Sequence, residues 1–190
     1  SREYRAFPLR GSFYAQDKIE VQGMVANLGV RVDYFNANTT SYLVDPYSKY
    51  YEAQYADSFT VVVPSEKSKG YVKISPRLGI AHPISENAKL YFNYGHFYAF
   101  PKSDDLYSMI RESRQKVTTV GNPNADLPRT IAYELGVEYN FLGQFLIHMA
   151  GYYKDITNQL AEITYQNIEG TVNYKTVNNQ NYQDIRGFEL

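Results

Sequence analysis

The chain has 190 residues and a formal net charge of −1, enough for one ordinary domain and without the basic excess of a nucleic-acid-binding protein. It contains no Cys, which excludes disulfides and thiolate metal sites. No segment approaches the roughly 18 consecutive apolar residues of a membrane helix, and no secretory signal peptide opens the chain. The 20 Tyr and 10 Phe, with no Trp, fit either an interfacial aromatic girdle or a Tyr-rich soluble β-sandwich.

Seven segments alternate between apolar and polar residues with a period of two, which predicts β-strands with one apolar face. In residues 131–141 every odd position is apolar or aromatic and every even position is small or polar. A strand of this length can cross a bilayer at a tilt, whereas strands of globular proteins average about five or six residues. In chain order, the seven predicted strands begin near Leu9, Met24, Lys73, Lys89, Thr130, Phe145 and Tyr182.

The connections between these strands alternate strictly between short and long. Residues 20–23, 84–87 and 142–144 form the short connections, and residues 36–72, 100–129 and 157–181 form the long ones. Compact soluble domains rarely contain such long loops, but outer-membrane barrels combine tight periplasmic turns with long extracellular loops. The pattern therefore predicts an all-β, antiparallel, up-and-down segment of a transmembrane barrel.

Two structured elements are expected within the long loops. Ser103 could cap a short helix over residues 104–112, because acidic residues follow in its first turn. Residues 163–165 and 171–174 could pair as a hairpin above the membrane, since both are rich in β-branched and aromatic residues.

Six short segments carry a family resemblance. Residues 13–19 contain Tyr-x-Gln-Asp, residues 27–34 read Asn-x-Gly-x-Arg-x-Asp-Tyr, and residues 75–79 read Ser-Pro-Arg-Leu-Gly. Residues 121–136 contain Asn-Pro, then Leu-Pro and Tyr-Glu-Leu-Gly, and the last two segments are residues 152–156 and 186–190. In this order they resemble strands of TonB-dependent outer-membrane receptors, in the form found in the Bacteroidota. Arg129 departs from the pattern, because the family usually has Glu there.

The resemblance implies a receptor that captures a scarce nutrient outside the cell, such as siderophore-bound iron, a vitamin, an oligosaccharide or a peptide. The family's barrels have about 22 strands, so residues 1–190 are expected to be part of one barrel domain, with the plug domain absent from this sequence. The expected location is the outer membrane of a Gram-negative bacterium. The expected partners are outer-membrane lipid, the protein's own plug domain, the TonB energy-coupling complex and a surface lipoprotein or other protein, but not nucleic acid.

In such a barrel the apolar face of each strand contacts lipid and the charged face lines a wet lumen. Four glycines on the charged face indicate that the wall approaches a plug or bends there: Gly29, Gly79, Gly95 and Gly136. The residues expected to line the lumen are Arg31, Asp33, Arg77, Glu134 and Glu138.

No enzyme, cofactor or metal site is expected. Glu134 and Glu138 share a face but lie roughly 13 Å apart at about 3.3 Å per residue, too far for a pair of glycosidase carboxylates. His82, His96 and His148 fit girdle or lumen positions better than a metal site. The chain has no phosphate-binding glycine loop and no nucleophile motif.

Ligand capture is expected in the extracellular loops, where exposed Tyr offers amphipathic contact area and Arg offers planar donors for anions. The alternative for these tyrosines is packing of one loop on another. Two other functions stay open at this point: a structural or adhesive barrel that binds a protein, and a soluble carbohydrate-binding β-sandwich. The candidate ligand residues are Tyr47, Tyr50, Tyr51, Tyr55, Arg111 and Arg114.

Overall fold

The computed structural model describes residues 5–55, 58–111 and 117–190. Its strands are β1 (Leu9–Val21), β2 (Met24–Asn36), β3 (Thr40–Tyr42), β4 (Ser65–Lys67), β5 (Gly70–Pro83), β6 (Ala88–Tyr98), β7 (Met109–Arg111), β8 (Val117–Val120), β9 (Arg129–Phe141), β10 (Phe145–Gln166) and β11 (Asn173–Glu189). The helices are short: α1 (Phe59–Val62), α2 (Ser103–Tyr107), and 3-10 turns at Lys49–Tyr51 and Ala53–Tyr55.

Seven long strands form one antiparallel wall in which each strand pairs with its predicted neighbours. The sheet order is β1-β2-β5-β6-β9-β10-β11, continued by the small strands β8 and β7 at the β11 edge. The predicted all-β fold with strands paired in chain order is therefore confirmed. In the described part of the chain, no helix is long and apolar enough to cross a membrane.

Two of the three short turns join their strands with left-handed backbone. Gln22 and Gly23 have φ of 48° and 82°, and Leu142 and Gly143 have φ of 55° and 68°. Two successive residues with positive φ match the twist of an antiparallel pair, which favours Gly at the second position. These turns fix the register of β1 on β2 and of β9 on β10.

One of the two expected loop structures, the helix after Ser103, differs from the prediction. The helix predicted over residues 104–112 stops at Tyr107, and its N-cap position is Lys102 rather than Ser103. The sequence from Met109 to Arg111 instead pairs with β8 as strand β7. Sequence periodicity missed this change because Ser108 extends the backbone and a strand of 3 residues is too short to show a period of two.

The connection predicted over residues 157–181 is mostly not a loop. β10 and β11 continue as a long hairpin, in which Thr164 lies opposite Lys175 and Tyr165 opposite Tyr174, so the predicted hairpin is present. The register shifts between Ile156 and Leu160, where Asn158 has a φ of 58°. This irregularity broke the period of two and concealed the continuity of the strands.

The buried hydrophobic residues lie mainly in the loops rather than between two sheets. One cluster, the upper cluster, is Tyr51, Phe59, Val63, Val117, Val120, Val172 and Tyr174. A second, the rim cluster, is Phe35, Ala37, Leu106, Ala125 and Leu127. The apolar face of the wall is uncovered, as shown by Leu135 with 54% of its surface exposed. A β-sandwich would bury that face under a second sheet, so this alternative is wrong.

Candidate functional site

The strand register places one polar face on the concave side of the wall. Arg31 lies opposite Tyr14 and Ser75, and Glu134 lies opposite Asn93 and Tyr152. This face surrounds a trough of about 1090 Å³ whose lining includes Arg31, Arg77, Glu134 and Lys154. Continuous alternation along seven strands thus gathers polar side chains from distant parts of the sequence.

Arg31 and Asp33 form the most ordered polar group on this face. The Arg31 guanidinium donates to Asp33 from Nε at 2.9 Å to Oδ2 and from Nη2 at 2.8 Å to Oδ1. Ser12 on β1 donates to Asp33 Oδ1 at 2.6 Å, and Asp33 is only 6% exposed. Charge-assisted bonds of this kind join β1 to β2 and leave little of either charge for a ligand.

The other predicted wall residues share the face but not one site. Glu138 pairs with Lys89 on β6 at 2.7 Å. Glu134 accepts a long hydrogen bond of 3.5 Å from Asn93. The Arg77 guanidinium lies 4.9 Å from the centre of the Phe97 ring. All five predicted wall residues therefore belong to the concave face, spread over the three strands β2, β5 and β9.

The glycines of this face make room for rings from neighbouring strands. A Cβ built on Gly136 would lie 2.4 Å from the Tyr91 ring, and one on Gly187 would lie 2.7 Å from the Tyr152 hydroxyl. The Tyr91 ring crosses β9 over Gly136, and its hydroxyl bonds to Nε2 of His148 on β10. This ring contact accounts for the glycine at position 136 within the described chain, and the predicted approach of a plug or a bend at the glycines stays a prediction.

Tyr51 is a structural residue of the upper cluster. It is 5% exposed and stacks on Tyr174 with 3.9 Å between ring centres and 10° between ring planes. Phe59 packs on its other side at 5.2 Å. Burial raises the pKa of Tyr51 and that of Tyr174 above the ordinary tyrosine value. Tyr51 therefore follows the alternative prediction, in which the loop tyrosines pack on other loops, because almost none of its ring surface is left for a ligand.

The three other predicted tyrosines surround this cluster with more of their surface free. Tyr47 is 55% exposed and meets Tyr165 edge-to-face at 5.6 Å. Tyr50 and Tyr55 are half-buried and contact each other edge-to-face at 5.4 Å. Sequence reasoning missed Tyr165, which comes from the β10–β11 hairpin and joins Tyr47 to Tyr174. Its partner Tyr47 lies more than 100 positions away along the chain, so no local pattern identifies this contact.

The two predicted arginines are not brought together in the described structure. Arg111 is half-buried on β7. Burial raises the pKa of Tyr42, and the positive charge of Arg111 offsets part of that increase. The buried Arg111 Nε has no hydrogen-bond partner among the described residues. Arg114 lies outside the described residues, so its part in the prediction stays untested.

The loop before β9 is held across the end of the wall at which the long loops lie. Asp126 forms an ion pair of 2.6 Å with Lys73 on β5 and accepts from Asn158 on β10 at 3.3 Å. Its backbone N–H donates to Asn179 Oδ1 on β11, and the Asn179 amide donates back to its carbonyl. Sequence reasoning did not identify Asp126, although the run of Asn after residue 177 was a local sign of side-chain bonding.

The histidines do not assemble a metal site. His148 contacts Tyr91 on the concave face, and His96 accepts from or donates to the Tyr94 hydroxyl at 2.6 Å on the opposite face. Among the described residues no group of three or more His, Cys, Asp or Glu side chains could hold a metal ion.

Comparisons with known proteins agree with this geometry. The family model described as "TonB dependent receptor-like, beta-barrel" matches residues 2–190. No curated protein matches the chain. Solved structures with the same fold include the hemophore receptor HasR of Serratia marcescens, with 16% identity and a TM-score of 0.68 over 96% of this chain. The ferric enterobactin receptor PfeA of Pseudomonas aeruginosa has 16% identity and a TM-score of 0.66 over 96%.

The FrpB iron transporter of Neisseria meningitidis has 13% identity and a TM-score of 0.60 over 97% of this chain. The chain spans 31% of the HasR chain and 24% of the PfeA and FrpB chains. At these identities the likeness shows the shared fold.

Proposed function

The chain belongs to the family of TonB-dependent receptor β-barrels, and from this premise we propose that it forms part of the wall of an outer-membrane receptor that imports a scarce nutrient. One observation carries the proposal: a single sheet exposes apolar residues on one face and gathers charged residues around a trough on the other. This arrangement suits lipid outside and an aqueous lumen inside. The neighbours named for heme, ferric enterobactin and iron support a metal-containing cargo, with a vitamin, an oligosaccharide and a peptide as further classes.

In this proposal the loops and the wall each contribute one step of import, and no residue has a catalytic role. The exposed side of the loop tyrosines would make the first contact with the nutrient, because a partly wet aromatic surface binds with little loss of side-chain entropy. The concave face would then guide the cargo past the protein's own plug domain, which the inner-membrane TonB complex would displace. Tyr47 and Tyr55 are the proposed capture residues, since Tyr51 is occupied by its own neighbours.

The test is growth of a strain that carries the whole parent receptor, with one limiting nutrient source at a time. The sources are hemin, ferric enterobactin, cobalamin, oligosaccharides and short peptides. The proposal expects one source to require the receptor and to require TonB equally. A receptor whose loss affects no source, or whose effect persists without TonB, would contradict import and favour an adhesive barrel.

A loop-level test uses matched single variants in the same parent. Tyr47→Ala and Tyr55→Ala should weaken uptake at low nutrient concentration while the amount of surface-exposed receptor stays unchanged. Leu43→Ala, an equally exposed apolar residue of the same loop, serves as the control. Normal uptake by both tyrosine variants at normal surface levels would remove these residues from the capture site.

A further inference from the structure

Two cations, Arg77 on β5 and Lys154 on β10, face each other across a row of small residues on the concave face. In register, Arg77 lies opposite Gly95, Gly95 lies opposite Ala132, and Ala132 lies opposite Lys154. Three inter-strand steps of about 4.8 Å separate the two backbones by roughly 14 Å. Both residues line the same trough as Gly95 and Ala132, on the concave side of the sheet.

Neither cation forms an ion pair with a carboxylate in the described part of the chain. Other cations of this face have carboxylates at ion-pair distance: Arg31 has Asp33, Lys73 has Asp126 and Lys89 has Glu138. Arg77 and Lys154 have no such carboxylate among the described residues, and both line the same trough. Glu134 is the one carboxylate in that described lining, against three cations.

Aromatic rings hold both cations in place. The Arg77 guanidinium lies 4.9 Å from the centre of the Phe97 ring, and the Lys154 ammonium lies 5.2 Å from the centre of the Tyr152 ring. The Phe97 ring itself covers Gly95, since a Cβ there would lie 3.1 Å from it. A ring face orients a cation without neutralising it, so both groups keep the capacity to bind an anion.

We propose that Arg77 and Lys154 form an anion-binding subsite in the lumen, below the loops, for a small substrate that carries at least two anionic oxygen groups. Arg77 would bind one group through its planar donors and Lys154 the other as a point charge. The flat body of the substrate would lie over Ala132 and the Phe97 ring. This inference rests on the proposed import function and adds the charge class of the cargo.

The test is binding of benzene-1,3,5-tricarboxylate, a rigid aromatic trianion, to the whole parent receptor in detergent, measured by calorimetry. The double variant Arg77→Gln/Lys154→Gln should bind it at least about tenfold more weakly, since a hydrogen bond to a charged group contributes about 1.5–3 kcal/mol. Lys175→Gln is the matched control, because it removes one charge from the extracellular hairpin. Arg77→Lys keeps the charge but loses the planar donors, so its affinity should lie between those of the unaltered receptor and the double variant.

Three results would overturn the subsite. They are no binding by the unaltered receptor, equal binding by the double variant, and equal binding of the triamine 1,3,5-tris(aminomethyl)benzene. Folding of each variant is checked by its resistance to unfolding in cold sodium dodecyl sulfate. If the double variant does not fold, the two single Gln variants and the fall in affinity with rising salt decide instead. Calorimetry needs no TonB, so this outcome is independent of whether energised uptake succeeds or fails.

Discussion

Replacing Tyr51 by Ala separates the structural tyrosine of the first long loop from its exposed neighbours. Tyr51 is 5% exposed, stacks on Tyr174 and packs against Phe59, so its removal leaves a cavity at the centre of the upper cluster. Truncation of a buried aromatic residue costs about 3–5 kcal/mol, of which the stacked pair itself contributes about 0.5–1.5 kcal/mol. The opening equilibrium of the cluster should therefore rise roughly 150- to 5000-fold.

Hydrogen exchange of the whole parent receptor, followed by mass spectrometry, measures this opening directly. Peptides that cover α1 and the first residues of β11 should lose protection in the Tyr51→Ala variant, while peptides from β9 should not change. The control is Tyr47→Ala, which removes an exposed ring with one edge contact and should cost about 1 kcal/mol or less. Equal loss of protection in the two variants would refute the assignment of Tyr51 to the loop core.

Three further perturbations address the wall and the cluster. Leu135→Arg, at the middle of β9 on the uncovered apolar face, should cost about 2–4 kcal/mol of barrel stability. Glu134→Arg on the concave face should cost much less, and the heat-modifiability of the assembled receptor compares the stability of the two variants. Gly136→Ala should cost about 1–3 kcal/mol, because the added Cβ meets the Tyr91 ring; a normal melting temperature would contradict this. Burial raises the pKa of Tyr174 and keeps its hydroxyl neutral, so its contribution to the stability of the upper cluster is complete below about pH 10 and declines above it. Protease cleavage of the loops, measured from pH 8 to 11, should therefore rise only above about pH 10.

The wall could be predicted from sequence because its stabilising features are local and periodic. In residues 131–141 the alternation of apolar and polar residues identifies the two faces of the strand, and the turns at Gly23 and Gly143 close the β1–β2 and β9–β10 hairpins. Register follows, because a slip by one residue would move Glu134 to the apolar face. The same reasoning placed Arg31, Asp33, Arg77, Glu134 and Glu138 on a single face.

The loops could not be predicted to the same depth because distant partners determine them. Nothing near Tyr47 and Tyr51 distinguishes the exposed ring from the buried one; the difference comes from Tyr174, which the β10–β11 hairpin delivers. The sequence predicted this hairpin, but the register shift near Asn158 concealed its continuity with the wall strands. Asp126 acquires its role from Lys73 and Asn179, which only the folded wall brings near it.

The central claim is that this chain is a wall with lipid on one face and water on the other. Single Cys residues placed one at a time from Ala132 to Tyr139 in the parent receptor can carry spin labels, since this chain contributes no Cys of its own. In lipid vesicles, labels at 133, 135, 137 and 139 should be relaxed mainly by oxygen, and labels at 132, 134, 136 and 138 mainly by a water-soluble nickel chelate. A scan without this period of two, or one with the two faces reversed, would contradict the claim.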